Sequence, residues 1–294
     1  MMKFFEKRPM AMIVLGVIGI SLSSIFVKFS TAPAAVTAAW RLLWTVALMT
    51  PVVWGRDAVR RELLGVKWPL AALSALSGLF LAIHFVLWFE SLNRTSVASS
   101  TTIVCTEVIW VCLGWWLLMG GRVPGKALAA IGVTVVGSVV IAFADSGSRG
   151  HLSGDILALL AAVAVAGYTL IGRVVRSDTS TTVYTYLVYT VCALVLVLTC
   201  AFQGQALLGH GSSPIWVGLA LAVFSTILGH SIFSWCLKYF SPAFVSASKL
   251  CEPVGAAALA AAIFGQIPSA MQLLGGALIL GGLVWYSRME GEAA

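Results

Sequence analysis

The chain has 294 residues, 60% of them hydrophobic and 10% charged, against roughly 45–50% and 25% in soluble domains. Twenty-nine charged side chains cannot coat a water-facing surface for 31.0 kDa, and with a mean hydropathy of +0.99 lipid must be the solvent for most of the chain. That excludes a soluble protein, and it turns the net charge of +7 into a statement about membrane orientation rather than nucleic acid.

Apolar runs of about 20 residues between charged or Gly/Pro breaks predict helical spans near 10–30, 34–54, 68–90, 95–119, 124–144, 154–173, 181–202, 214–237, 242–264 and 268–287. The first follows Lys3, Lys7 and Arg8 and precedes Ala32-Pro33-Ala34, an outline shared with signal peptides. Its apolar run is longer than a signal sequence needs, so a retained helix is expected. Connections are too short for a separate soluble domain. With the N-terminus in the cytoplasm, thirteen basic residues fall inside and only Arg94 and Arg149 fall outside. This bias places both termini in the cytoplasm of a multi-pass protein of the plasma membrane, the bacterial inner membrane. All six cysteines sit in apolar runs with no CxxC pair, so neither a disulfide framework nor a thiolate metal site is implied.

A shift of 145 residues superimposes the last three spans of the second half on those of the first. Glu107 then meets Glu252, Gly120 meets Gly265, Gly137 meets Gly282 and Pro69 meets Pro214. Units of five helices, 1–146 and 147–294, are odd in number, so the two copies thread the bilayer in opposite directions. The expected fold is all-α and integral to the membrane: ten transmembrane helices as two inverted five-helix repeats around a central cavity.

Ionisable groups inside spans cost a few kcal/mol on insertion scales and need a reason. Lys28 and Arg41 lie toward the outer ends of the first and second spans. Snorkelling to headgroups explains each, and guarding an extracellular gate is the sharper alternative. His84 shares a helix face with Ser77 and Trp88, and His230 shares one with Thr226 and Ser234, which puts both faces toward a polar cavity. Glu107 lies alone in the fourth span, either as a protonated hydrogen-bonding group or as a proton carrier. Lys249 and Glu252 are spaced i,i+3 in the ninth span and can pair on one face. Pro253 follows them, so the helix is expected to kink there and leave the Lys249 carbonyl bare, which also makes Pro253 a candidate gate element. A charge pair beside free backbone polarity suits a zwitterion, and equally a structural ion pair. Val108 stands where the second repeat has Pro253, so the fourth span is expected to run straighter. Trp88, Trp110 and Tyr168 are deep enough to wall a cavity, while Gly132, Gly137, Gly275, Gly276, Gly281 and Gly282 predict close contact of the fifth and tenth spans.

The blocks HFVLWFESLNRTSVASS at 84–100, GHSIFSWCLKYFSPAFVSASKLCEPVGA at 229–256 and GQIPSAMQLLGGALILGG at 265–282 resemble the EamA-type ten-helix members of the drug/metabolite transporter superfamily. Nearly the whole chain takes part, and its size and layout are similar to YddG-type amino-acid exporters. The resemblance implies a basket of helices 1–4 and 6–9 around a cavity, helices 5 and 10 at the periphery, and export of small metabolites. The sequence Cys105-Thr106-Glu107-Val108 departs from a family pattern that commonly ends in Pro.

The function expected is a secondary transporter of neutral or aromatic amino acids working by alternating access, with export of other metabolites or drugs as the alternative. No GxxxxGK[ST] stretch occurs, so ATP is not the driver, and Glu107, Glu252 and the two histidines are the available proton carriers. A monomer with no cofactor, no metal and no partner beyond cargo and lipid is expected. An intramembrane enzyme would need a nucleophile with its base, or an HExxH metal set, and neither pattern occurs. A non-transporting scaffold sits poorly with an inverted repeat and so little extramembrane surface.

Overall fold

The computed structural model describes residues 9–95, 97–145, 152–265 and 267–292, and within them the chain is helical throughout. Lys3, Lys7, Arg8, Ser96, the turn at 146–148 with the proposed repeat boundary, Arg149 and Gln266 lie outside the described residues, as does the side chain of Ser24. The spans in order are Pro9–Val27, Ala34–Gly55, Trp68–Arg94, Ser100–Met119 with a preceding turn of helix from Val97, Gly125–Asp145, Leu152–Val175, Thr181–Phe202, Ser213–Cys236, a broken segment at 242–264 and Ala270–Glu292. A short helix, Asp57–Leu64, links the second and third spans and buries none of its residues. Eight of these spans are long and apolar enough to cross a bilayer. The fifth is shorter in its apolar part, Gly125–Ile141, and the ninth is interrupted.

Local chemistry sets the ends. The Ser180 hydroxyl accepts the Val183 N–H at the start of the seventh span. Ser241 does the same for Phe244 at the start of the ninth, where Pro242 occupies the first helical position and loses no bond. The fourth and ninth spans stop at Gly120 (φ +64°) and Gly265 (φ +66°). Both are left-handed glycines of the kind that terminate helices without Cβ strain, and the 145-residue shift carries one onto the other.

Helix pairing follows the same symmetry. The third span packs on the sixth as the eighth packs on the first; the fourth packs on the sixth as the ninth packs on the first; the seventh packs on the third as the second packs on the eighth. The fifth and tenth spans face each other, as do the second and seventh. A Cβ on Gly137 would lie 2.6 Å from the Gly275 carbonyl and 2.8 Å from Ile279, and one on Gly282 would lie 2.6 Å from Thr134 and 2.9 Å from the Ala130 carbonyl. The shift turns the first pair of contacts into the second, as a pseudo-two-fold axis between the fifth and tenth spans requires. Gly132 and Gly281 meet nothing within 4 Å, so only part of the expected glycine seam is a close contact.

Two buried apolar clusters build the core. One joins the first, fourth, fifth, eighth, ninth and tenth spans around Ile13, Val108, Ile131, Phe233 and Phe244. The other joins the second, third, sixth and seventh around Val36, Leu81, Phe85, Val165 and Tyr189. Between them lies the polar centre of the molecule.

Two expectations about helix shape change. The fourth span is not straight: it breaks at Thr106, although Val108 replaces the proline. Thr106 donates its hydroxyl to the Ile103 carbonyl at 2.6 Å and its N–H to the same oxygen at 3.0 Å, so a side-chain bond competes with the helical ladder. The ninth span breaks in the matching place, where Lys249–Cys251 winds as a 3-10 turn before Glu252–Phe264. There the Lys249 carbonyl is not bare, because it accepts the N–H of Glu252 and lies 4.0 Å from the Cys105 thiol. Tyr286, near the end of the tenth span, is buried and packs edge-on against Phe244.

Candidate functional site

A narrow cavity of about 40 Å³ sits where the two core clusters meet. That is well below the ~300–1,000 Å³ typical of small-molecule sites. Its walls are Ile20 and Ser23 from the first span, Arg41 from the second, His84 and Trp88 from the third, and Val104, Cys105 and Glu107 from the fourth. Val165, His230, Lys249 and Glu252 complete it from the sixth, eighth and ninth spans. The two helix breaks place Glu107 and Glu252 at the starts of the helical segments that follow them, where unpaired backbone N–H groups favour negative charge.

Lys249 does not pair with Glu252. Its ammonium lies 2.8 and 3.0 Å from the two carboxylate oxygens of Glu107, joining the ninth span to the fourth. The ninth span packs on the fourth just before its 3-10 turn, which brings the Lys249 ammonium to Glu107 across the bundle. Thr169 of the sixth span adds a hydroxyl donated to Glu107 at 2.7 Å. Both members of the pair are buried, so the ion pair is shielded from water and its loss is expensive. The Glu252 carboxylate opens onto the cavity and accepts no hydrogen bond among the described residues. The Ser21 hydroxyl, bonded to the Val17 carbonyl of its own helix at 2.8 Å, also lies 3.3 Å from the Glu252 backbone carbonyl.

Arg41 does not snorkel. It is 1% exposed, with Nε donated to Thr226 at 2.7 Å, Nη1 to Ser23 at 3.3 Å and its guanidinium 4.4 Å from the centre of the Phe85 ring. Thr226 is within reach because residues Leu221–His230 wind as a π-helix. That wider turn interrupts the eighth span beside the site, as π segments commonly do at functional centres. Nothing in the sequence pattern distinguishes this stretch from an ordinary helix. Lys28 is exposed beyond the end of the first span and does not line the cavity, which leaves the headgroup role for it.

His84 places Nδ1 3.0 Å from the Ala161 carbonyl. A carbonyl only accepts, so that nitrogen carries the proton and Nε2 is left as an acceptor. Its ring stacks on Trp88 at 5.9 Å. His230 sits edge-on to Phe85 and Tyr168, and Tyr168 is held from behind by a 2.7 Å bond to Ser234. Tyr168 and Thr226 therefore support the wall rather than form it, and Pro253 is buried just past Glu252. Trp110 is not at the site: it packs with Val111, Ala166 and Leu170 between the fourth and sixth spans. Ser23, Thr169 and Phe85 are contributors missed from the sequence, since hydroxyls and aromatics inside apolar runs carry no distinguishing signal.

Three groups on the cavity wall are buried without a hydrogen-bond partner among the described residues: Arg41 Nη2, Trp88 Nε1 and His230 Nδ1. Orphaned donors of this kind are rare in native interiors. With the Glu252 carboxylate they give the cavity unmet hydrogen-bonding capacity of both polarities.

Residues 7–143 and 152–288 each match the EamA-like transporter family. An uncharacterized transporter, YwfM of Bacillus subtilis (strain 168), is 28% identical over 254 residues, covering 84% of this chain and 81% of that protein. A solved crystal structure with no functional description superimposes with a TM-score of 0.78 at 18% identity, covering 98% of this chain and 99% of the other. That likeness establishes a shared fold.

Proposed function

Because this chain belongs to the EamA-like transporter family, we propose that it is a secondary exporter of neutral and aromatic amino acids, working by alternating access of the units 1–146 and 147–294. In this reading it lies in the bacterial inner membrane with both termini in the cytoplasm. Membership of a transporter family and the likeness to a transporter point to transport rather than catalysis.

The chemistry of the cavity walls carries the cargo assignment, and the space of about 40 Å³ has to widen as the helices part before an amino acid fits. A zwitterion with an apolar side chain needs a donor for its carboxylate, an acceptor for its ammonium and an apolar or aromatic wall. Arg41 Nη2 offers the first, Glu252 the second, and Trp88 with Val104, Val165 and Ile20 the third. All are desolvated, which strengthens each polar contact. The first two come from the two different repeat units, so a bound zwitterion bridges the parts that must move. Discontinuous helices that turn their ends toward a midplane site are the usual arrangement in carriers built from inverted repeats.

Counterflow in sealed proteoliposomes tests this. Vesicles loaded with unlabelled phenylalanine, leucine or tryptophan should take up the labelled amino acid faster than empty vesicles, and sugars should not compete. Uptake that ignores internal amino acid would remove the carrier mechanism, and exchange confined to sugars or cationic drugs would remove amino acids as cargo.

A further inference from the structure

We propose that Glu252 is the coupling group: on the empty carrier its carboxyl returns from the outside bearing a proton, and the ammonium of outgoing cargo displaces that proton at the same oxygens. This rests on the transporter reading above and adds that export is exchange against protons.

Repeat symmetry singles out this residue. The 145-residue shift maps Glu107 onto Glu252 and Lys249 onto Val104. Glu107 has its lysine at 2.8 Å and a threonine hydroxyl at 2.7 Å, whereas the place from which a second lysine would meet Glu252 holds a valine on the cavity wall. Two equivalent carboxylates therefore have opposite circumstances. One is neutralised by Lys249, and the other faces the cavity with no side-chain partner among the described residues.

The remaining charged and titratable groups around Glu252 do not supply one. From its own span, Lys249 is committed to Glu107. From the second span, Arg41 is held by Thr226, Ser23 and Phe85, with only Nη2 open. Cys105 on the fourth span is oriented to the Lys249 carbonyl, His84 on the third bonds Ala161, and His230 on the eighth packs against two aromatic rings. A bare carboxylate is costly at bilayer depth, so it must hold something while the helices rearrange. With cargo present that is an ammonium, and with cargo absent it is a proton. The exchange balances as carboxylic acid plus cargo ammonium going to a carboxylate–ammonium pair plus one proton released to the cytoplasm.

The test uses the full chain in proteoliposomes, with voltage clamped by potassium and valinomycin and labelled phenylalanine as probe. For the wild type, a one-unit pH gradient with the vesicle lumen acid drives accumulation of external probe approaching about tenfold, one proton leaving for each phenylalanine that enters. Adding phenylalanine to the detergent-solubilised protein in weak buffer releases about one proton per site. Glu252→Asp keeps both effects and Glu252→Gln loses both. Gradient-driven accumulation surviving in Glu252→Gln, or wild-type exchange that is indifferent to pH and releases no proton, overturns the coupling. Should Glu252→Gln fail to fold, the wild-type release and the aspartate variant decide. Absence of any phenylalanine exchange by the wild type instead defeats the cargo assignment on which this rests.

Discussion

A lysine and a glutamate 142 residues apart close to 2.8 Å in a setting where each would be intolerable alone. Removing one leaves the other as an uncompensated buried charge, which in proteins costs roughly 3–5 kcal/mol, while replacing both by neutral groups of similar size is close to neutral. Lys249→Met should therefore lower the unfolding temperature in detergent sharply, and adding Glu107→Gln should restore most of it. A double variant as unstable as the single one would show that the two charges are not energetically coupled. Scarcity made these residues visible in the sequence: an ionisable group in an apolar run stands out whatever its role. The direction in which each points was not visible. Lys249 has a sequence neighbour three residues on and a spatial neighbour in another span, and only the packing of the ninth span on the fourth decides between them. Trp110 fails as a cavity residue for a related reason, since depth along a helix is legible but azimuth on an apolar span has no polar face to fix it.

Among the helices, the parts that depart from regular winding are those that carry the site. The breaks at Thr106 and at Lys249–Cys251 are equivalent under the repeat although only one has a proline near it; a threonine that bonds its own preceding turn serves in place of Pro253. The proline could be read from the sequence, whereas the threonine substitute and the π segment Leu221–His230 could not, because they depend on which ladder bonds tertiary packing lets lapse. The fifth and tenth spans are regular and, among the described residues, add none to the wall of the central cavity; they lock together through Gly137 and Gly282. Gly137→Ala would press a methyl group to within 2.6 Å of the Gly275 backbone carbonyl, which cannot rotate away as a side chain could. We expect a loss of about 1–3 kcal/mol, the usual cost of overpacking, read as a lower melting temperature. Flux per folded protein and cargo preference should be unchanged, and a changed cargo preference would mean that this contact takes part in transport.

The whole molecule is tied across its two halves at both ends. At one end Thr31 donates to the His210 carbonyl at 3.1 Å and Trp40 to that of Leu207 at 3.0 Å, both reaching from the early spans to the loop before the eighth. At the other, the Ser180 N–H at the start of the seventh span donates to Glu62 on the short connecting helix at 2.6 Å. A cavity sealed by ties at both ends serves a carrier only if the two sets break in turn, since breaking both together would make a channel. Cysteine pairs at Thr31 with His210, and separately at Glu62 with Ser180, in a background lacking the six native cysteines and joined by a short bis-maleimide, separate these cases. Under alternating access either cross-link alone stops counterflow, because each forbids one of the two open states, while cargo still binds from the side left free. If exchange continued with one end fixed, the halves would not move as rigid units about the cavity, and motion would have to be confined to the unwound turns beside Glu107 and Glu252.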